Sequence, residues 1–244
     1  MKSKSVLLFC FFILFFISCS SNKKQSSSAL LTTTVVNNIK NPIATIATNQ
    51  KTETAILQAT IVEDTTFVNL KNYSSEFVFD MKYATEDNFL KAKVYQCAEC
   101  YLRLKTVKAL IIANEKFIKK GYRIKLFDCY RPLDIQKKMW QIVSNPNYVA
   151  DPKKGSIHNR GGAVDISLVD LNGKELDMGT PFDFFGIEAS HNFENLSTDV
   201  KNNRKLLKKI MIKSGFKFFE SEWWHYNLNN ASKDDLSNFK WKCN

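Results

Sequence analysis

The stretch GSIHNRGGAVDISL, residues 155–168, decides how the rest of the chain folds. It runs on into AVDISLVD (163–170), where Val164, Ile166 and Leu168 alternate with Asp165 and Ser167. Alternation of this kind puts successive side chains on opposite faces of a strand. The apolar set goes to a core, and Asp165 points the other way, toward a cleft. Gly161 and Gly162 let the chain bend between this strand and His158. An imidazole and a carboxylate are thereby offered from one turn and one strand.

Working outward, YRIKLFDCY (122–130) alternates as a second strand, and FKFFESEWWHYNL (216–228) is aromatic-rich and strand-like. FVFDMKYATEDNF (77–89) begins as a strand and turns at Thr85–Asn88. Three segments carry helical spacing. In LRLKTVKALIIANEKFIKKG (102–121), Leu104, Val107, Leu110, Ile111, Phe117 and Ile118 form an apolar stripe, closed by Gly121. Arg131–Pro132 opens a second helix with Pro132 at its first position, running through Met139, Trp140 and Val143. NNRKLLKKIMIKSG (202–215) is the third. Strands and helices mix without a regular βαβ alternation. The expectation is a single α+β domain with a central, largely antiparallel sheet flanked by helices.

The first 63 residues read differently. MKSKSVLLFCFFILFFISC has Lys2 and Lys4 ahead of an apolar run from Val6 to Ile17, shorter than the roughly 20 residues of a membrane span. This is the pattern of a secretory signal over residues 1–18, and FISCSS resembles a bacterial lipoprotein cleavage box with Cys19 as the lipidated residue. Residues 19–63 are rich in Ser, Thr, Asn and Lys, without aromatic residues until Phe67, and read as a tether. The domain then spans 64–244. The expected place of work is the bacterial cell envelope, with a lipid anchor in the membrane.

The 244 residues carry a formal net charge of +11, spread along the chain without an Arg-rich arm. That argues against nucleic acid as a partner and is compatible with an anionic envelope surface. Of six cysteines, Cys97, Cys100, Cys129 and Cys243 fall in the domain. Four in an exported chain favour disulfides or buried thiols over zinc, since CAEC (97–100) has no second such pair. The sequence does not fix their pairing, nor the oligomeric state.

Only three histidines occur, at 158, 191 and 225. His158, Asp165 and His225 are ligand types that zinc accepts, and three protein ligands leave the open position of a catalytic site. Glu222 lies three residues before His225, where it can serve as general base if the chain turns there. A regular strand would put the two on opposite faces, so Glu222 is expected on a loop or bulge at the strand's start. Trp223 and Trp224 are read as packing, one toward the core and one walling the cleft. His191 is read as a loop residue. Taken alone, the spacing also fits a packed polar loop, with Arg131 anchoring a surface loop and Asp183 capping a turn.

Five ordered stretches go further. SIHNRGGAVDISL, EWWHY, DMKYATEDNF (80–89), FDCYRP (127–132) and MGTPFDFF (178–185) resemble the zinc D-alanyl-D-alanine dipeptidases of the vancomycin-resistance type, within the hedgehog-like D-Ala-D-Ala metallopeptidase superfamily. The resemblance implies one zinc per chain on His158, Asp165 and His225, with Glu222 as the base. It implies Arg131 as an oxyanion partner, and Ser156, Asp183 and Tyr95 around the substrate's amino group. The implied activity is hydrolysis of a small dipeptide in wall turnover. A D,D-carboxypeptidase acting on stem peptides and a zinc-containing binding module without turnover are the alternatives.

Overall fold

The computed structural model describes residues 62–243. The expected signal at 1–18, the lipidation site Cys19 and nearly all of the expected tether lie outside the described residues.

Seven strands and three α-helices follow one another within the described residues: β1 (Phe67–Asn69), β2 (Val78–Phe79), β3 (Tyr101–Arg103), α1 (Leu104–Ile118), β4 (Tyr122–Asp128), α2 (Leu133–Ile142), β5 (Ala163–Asp170), α3 (Thr198–Lys213), β6 (Phe216–Phe219) and β7 (Glu222–Leu228). Five strands form the main sheet in the order β2-β4-β5-β7-β6, antiparallel except where β2 joins β4. β1 and β3 make a separate antiparallel pair. The expected α+β architecture is what the chain adopts.

The boundaries moved for physical reasons. The first helix starts at Leu104, because Leu102 and Arg103 pair with Val68 and Phe67 as strand. Pro132 caps the second helix from an extended conformation instead of entering it. The third begins at Thr198, where the Ser197 hydroxyl accepts from Val200 N–H. The segment 216–228 is a hairpin of two strands rather than one.

β5 matches its expected span, but its polar face is not open along its length. Residues 163 to 169 are all buried. The loop around Phe182 lies on Phe127 (centroids 4.8 Å apart) and meets Trp224 edge-on (5.5 Å), adding apolar cover near the end of β4. The other face packs Val164, Ile166 and Leu168 into the core with Leu110, Phe117, Leu126 and Leu207.

All four domain cysteines are in disulfides, Cys97–Cys243 and Cys100–Cys129. Cys100 adjoins β3 and Cys129 follows β4, so the second bridge ties the small sheet to the main one.

Candidate active site

Three adjacent strands set the site. In the pairing register Asp128 of β4 stands opposite Asp165 of β5, and Asp165 stands opposite His225 of β7. Register partners share a face. The row depends on a bulge, since β4 advances from Leu126 to Asp128 while β5 moves one residue, leaving Phe127 extra. His158 joins from a short 3-10 turn, His158–Arg160, just ahead of β5. Gly161 ends that turn at φ +71°, and a Cβ there would run into the Phe67 ring. Only glycine meets both demands.

The donor atoms converge. Asp165 Oδ1 lies 2.9 Å from His225 Nδ1, and Asp165 Oδ2 lies 3.3 Å from His158 Nε2. The two imidazole nitrogens are themselves 3.2 Å apart, and all three donor atoms fall within 4.8 Å of one another. The outer ring nitrogens show which lone pairs face inward. His158 Nδ1 lies 2.7 Å from the carbonyl oxygen of Cys129, to which it can only donate. His225 Nε2 lies 2.9 Å from Asn227 Oδ1 and donates likewise. Both rings therefore aim acceptor nitrogens at one carboxylate. Three acceptors meeting in a buried spot repel unless a cation sits among them. Two neutral imidazoles and a carboxylate are a donor set that fits zinc. Burial alone would raise the Asp165 carboxyl, but positive charge placed on the two rings outweighs it and holds the carboxyl well below the usual range, so the carboxylate favours a cation at this spot.

Glu222 opens β7 next to an irregularity. Phe218 pairs with Tyr226, yet Phe219 pairs with Glu222, so residues 223–225 have no partner on β6. This is the bulge that convergence of Glu222 and His225 demanded. Both line one cavity of about 440 Å³, together with His158 and Asp165. Burial pushes the Glu222 carboxyl up. Trp223 and Trp224 are both buried. Trp224 walls this cavity, while the Trp223 indole donates to Thr180 Oγ1 (2.8 Å) on the side of a neighbouring one.

Arg131, expected at the site, lines the same cavity and is buried. Its Nε and Nη2 donate to Asp128 Oδ2 (3.2 and 2.6 Å), and Nη1 donates to Gln136 Oε1 (3.0 Å). A guanidinium has five N–H groups, so two remain to serve a ligand. The surface-loop reading of Arg131 falls. Ser156 also lines the cavity, and its buried hydroxyl has no hydrogen-bond partner among the described residues.

Asp183 lies on the cavity wall at φ +61°, a backbone conformation Asp tolerates better than most residues. Its carboxylate caps no turn. Both oxygens accept from the Tyr83 hydroxyl (3.0 and 3.2 Å). Burial first, then repulsion from Asp165, raises the Asp183 carboxyl well above its ordinary range.

Tyr95 is a correction. It does not line the cavity but is buried outside it, and its hydroxyl donates to Asp128 Oδ1 (2.7 Å). It thus holds the carboxylate that holds Arg131. The phenol beside Asp183 is Tyr83, within the DMKYATEDNF stretch, and sequence reasoning passed over it. Asp128 and Gln136 were also missed. An acid three residues before a candidate arginine was the available signal.

With the geometry in place, the comparisons are specific. The D-Ala-D-Ala dipeptidase family matches the chain over residues 63–241. The chain belongs to that family. A D-alanyl-D-alanine dipeptidase of Escherichia coli (strain K12) is 35% identical over 184 residues, 75% of this chain and 95% of the relative. One from Enterococcus faecium is 32% identical over 174 residues, 62% of this chain and 85% of the relative. A vancomycin-resistance D,D-pentapeptidase solved in complex with Zn(II) is 15% identical, with a TM-score of 0.37 over 55% of this chain and 78% of that one. The dipeptidase family consists of zinc-dependent metallopeptidases, and the resemblance drawn from the five motifs holds.

Proposed function

We propose that this dipeptidase-family chain hydrolyses free D-Ala-D-Ala, or a closely similar small dipeptide, with one zinc held by His158, Asp165 and His225. The observation that carries the reading is the shared cavity: the three-donor cluster, Glu222, Arg131, Ser156 and Asp183 all line it. Zinc, when bound, polarises a carbonyl and brings the acidity of water toward pH 7.

The chain's own groups supply the rest. Glu222, desolvated and raised, takes the proton of the attacking water and returns it to the departing amine nitrogen. The two remaining N–H groups of Arg131 stabilise the charge that develops on the carbonyl oxygen. Asp183 faces the substrate's ammonium, and the Ser156 hydroxyl gains the partner it otherwise lacks. An ammonium beside Asp183 favours the ionised carboxylate, reversing the shift that burial imposes.

The Asp183–Tyr83 pair favours a free dipeptide over a stem peptide, whose corresponding nitrogen is an uncharged amide. Trimming of stem peptides is the second reading, and a binding module without turnover the third. We place the work in the cell envelope, on dipeptide released from wall peptides, with Cys19 as a lipid anchor. The support is the sequence of residues 1–63 and the two disulfides, which suit an oxidising compartment.

The test is a comparison of free D-Ala-D-Ala with an N-acylated D-Ala-D-Ala tripeptide, using zinc-loaded wild type and Glu222→Ala. Wild type should cleave the free dipeptide and spare the acylated one. Glu222→Ala should keep its zinc and lose hydrolysis. Preference for the acylated substrate supports the second reading, and an inert wild type with zinc bound supports the third.

A further inference from the structure

Helix α3 carries a feature the active site does not use. Lys201, Lys205, Lys209 and Lys213 are exposed and spaced four residues apart, which puts them in one stripe along the helix. Among the described residues, none of the four Nζ groups forms an ion pair or donates a hydrogen bond. Like charges at this spacing repel, so the stripe contains three successive unfavourable pairs within one helix. A surface serving only solubility gains from mixed signs.

The stripe borders a groove of about 590 Å³ with no acidic residue in its lining. Phe193, Leu196 and Ile212 give it an apolar floor, and Ile212 is 46% exposed. Lys208 adds a further charge, its Nζ lying 3.7 Å from the centre of the Phe218 ring. Arg204 lies at the bottom with its guanidinium committed to the carbonyls of Met178, Glu188 and Ser190. The positive charge available to a partner is therefore that of the lysines.

We infer that the α3 face docks on an anionic lipid surface, with the lysines against headgroup phosphates and Ile212 with its neighbours entering the headgroup–acyl boundary. Charge complementarity gives the sign of the partner. The apolar floor inside the basic rim selects a lipid surface over a purely polar polyanion. The inference rests on the α3 surface and is independent of both the dipeptidase reading and the lipidation of Cys19.

The experiment mixes the full chain with vesicles of phosphatidylcholine alone, or of phosphatidylcholine with one-third phosphatidylglycerol, and acetylates exposed amines. Mass spectrometry reads each lysine. Any N-terminal membrane attachment is common to both vesicle types. Labelling of Lys201, Lys205, Lys209 and Lys213 should fall about fivefold or more on the anionic vesicles and recover in 0.5 M salt, as screening over a Debye length of roughly 4 Å requires. Lys91 and Lys153, outside the helix, should not change. Lys201→Glu/Lys209→Glu turns all three repulsive pairs into attractive ones, so its Tm should hold or rise and its dipeptide hydrolysis remain. That variant should lose the protection of Lys205 and Lys213. Equal labelling on the two vesicles, a uniform fall across all lysines, unchanged protection in the variant, or protection by soluble polyphosphate in place of vesicles would each overturn the inference.

Discussion

Removing the two disulfides one at a time should separate stability from metal affinity. Cys100 and Cys129 are 29 residues apart, and Cys97 and Cys243 are 146 apart. On the chain-entropy account the shorter loop stabilises by about 3.5 kcal/mol and the longer by about 5 kcal/mol. Loop length alone therefore makes Cys97→Ala/Cys243→Ala the more damaging change. The site reverses the order for zinc. The Cys129 carbonyl accepts from His158 Nδ1 at 2.7 Å, and the Cys129 N–H donates to Asp128 Oδ1 at 2.9 Å. Tyr130 N–H, one residue on, is bonded to Tyr101 beside Cys100. Loosening the outer partner of a metal-binding histidine reduces affinity about 10–100-fold. Cys100→Ala/Cys129→Ala should then lose less stability and at least about tenfold in zinc affinity. The long-loop variant should lose more stability and keep near-native affinity. Urea unfolding of the metal-free proteins gives the first quantity, because bound zinc would itself stabilise the fold. Competition with a chelator of known affinity gives the second. Zinc affinities that fall in the same order as the stabilities would refute the positioning role of the Cys129 carbonyl.

Three further outcomes follow from contacts at the cavity and at the α3 groove. Arg131→Lys keeps a charge but loses the fork that spans Asp128 and Gln136, so kcat should fall about 10²–10³-fold with zinc content unchanged, measured under single-turnover conditions. Tyr83→Phe removes the hydroxyl that steadies both Asp183 oxygens; a loss near 1.5 kcal/mol gives roughly a tenfold rise in KM for the free dipeptide, with kcat nearly kept. His191 has its pKa lowered to about 3, by burial first and then by Lys208 and Arg204. Its folded value lies below its unfolded one of about 6.5, so the stability it permits is complete above pH 6.5 and is lost as pH falls toward 3. Between pH 6.5 and 5 the loss is about 1.6 kcal/mol, and His191→Leu, which keeps packing on Phe218, should flatten that part of the urea-stability profile.

Alternation in AVDISLVD was enough to place β5 and to turn Asp165 from the apolar core, whereas the ligand types near it fitted a packed polar loop as well, and only the five-motif resemblance singled out His158, Asp165 and His225 as a candidate metal set. Those signals are local. The choice between Tyr83 and Tyr95 was not legible, because both are buried phenols near the same carboxylates and only tertiary contact tells them apart. Tyr95 meets Asp128 and Tyr83 meets Asp183. Burial of β5 on both faces was equally invisible, since it lies between two strands that the downstream Phe182 reaches, at Phe127 on β4 and Trp224 on β7. The disulfide pairing joins Cys97 to a residue 146 positions away, which no local pattern encodes.

Two irregularities flank the regular strand, and the site depends on both. β5 pairs without interruption over its shared length with β7, and it carries Asp165 as a fixed reference. Its neighbour β4 inserts Phe127, which moves Asp128 opposite Asp165 and lets it hold Arg131 and Tyr95. On the far side, β6 and β7 skip three residues, which lets Glu222 and His225 share a cavity despite their odd spacing. A perfectly alternating sheet would send half of these groups into the core. The departures sit where the ligand-bearing strands meet the cavity, while the core positions Ile124, Leu126, Ile166 and Leu168 keep strict period two. Regular pairing thus secures the scaffold, and a bulge on each side gives up part of that regularity to bring Glu222, His225 and, through Asp128, Arg131 to one cavity with Asp165.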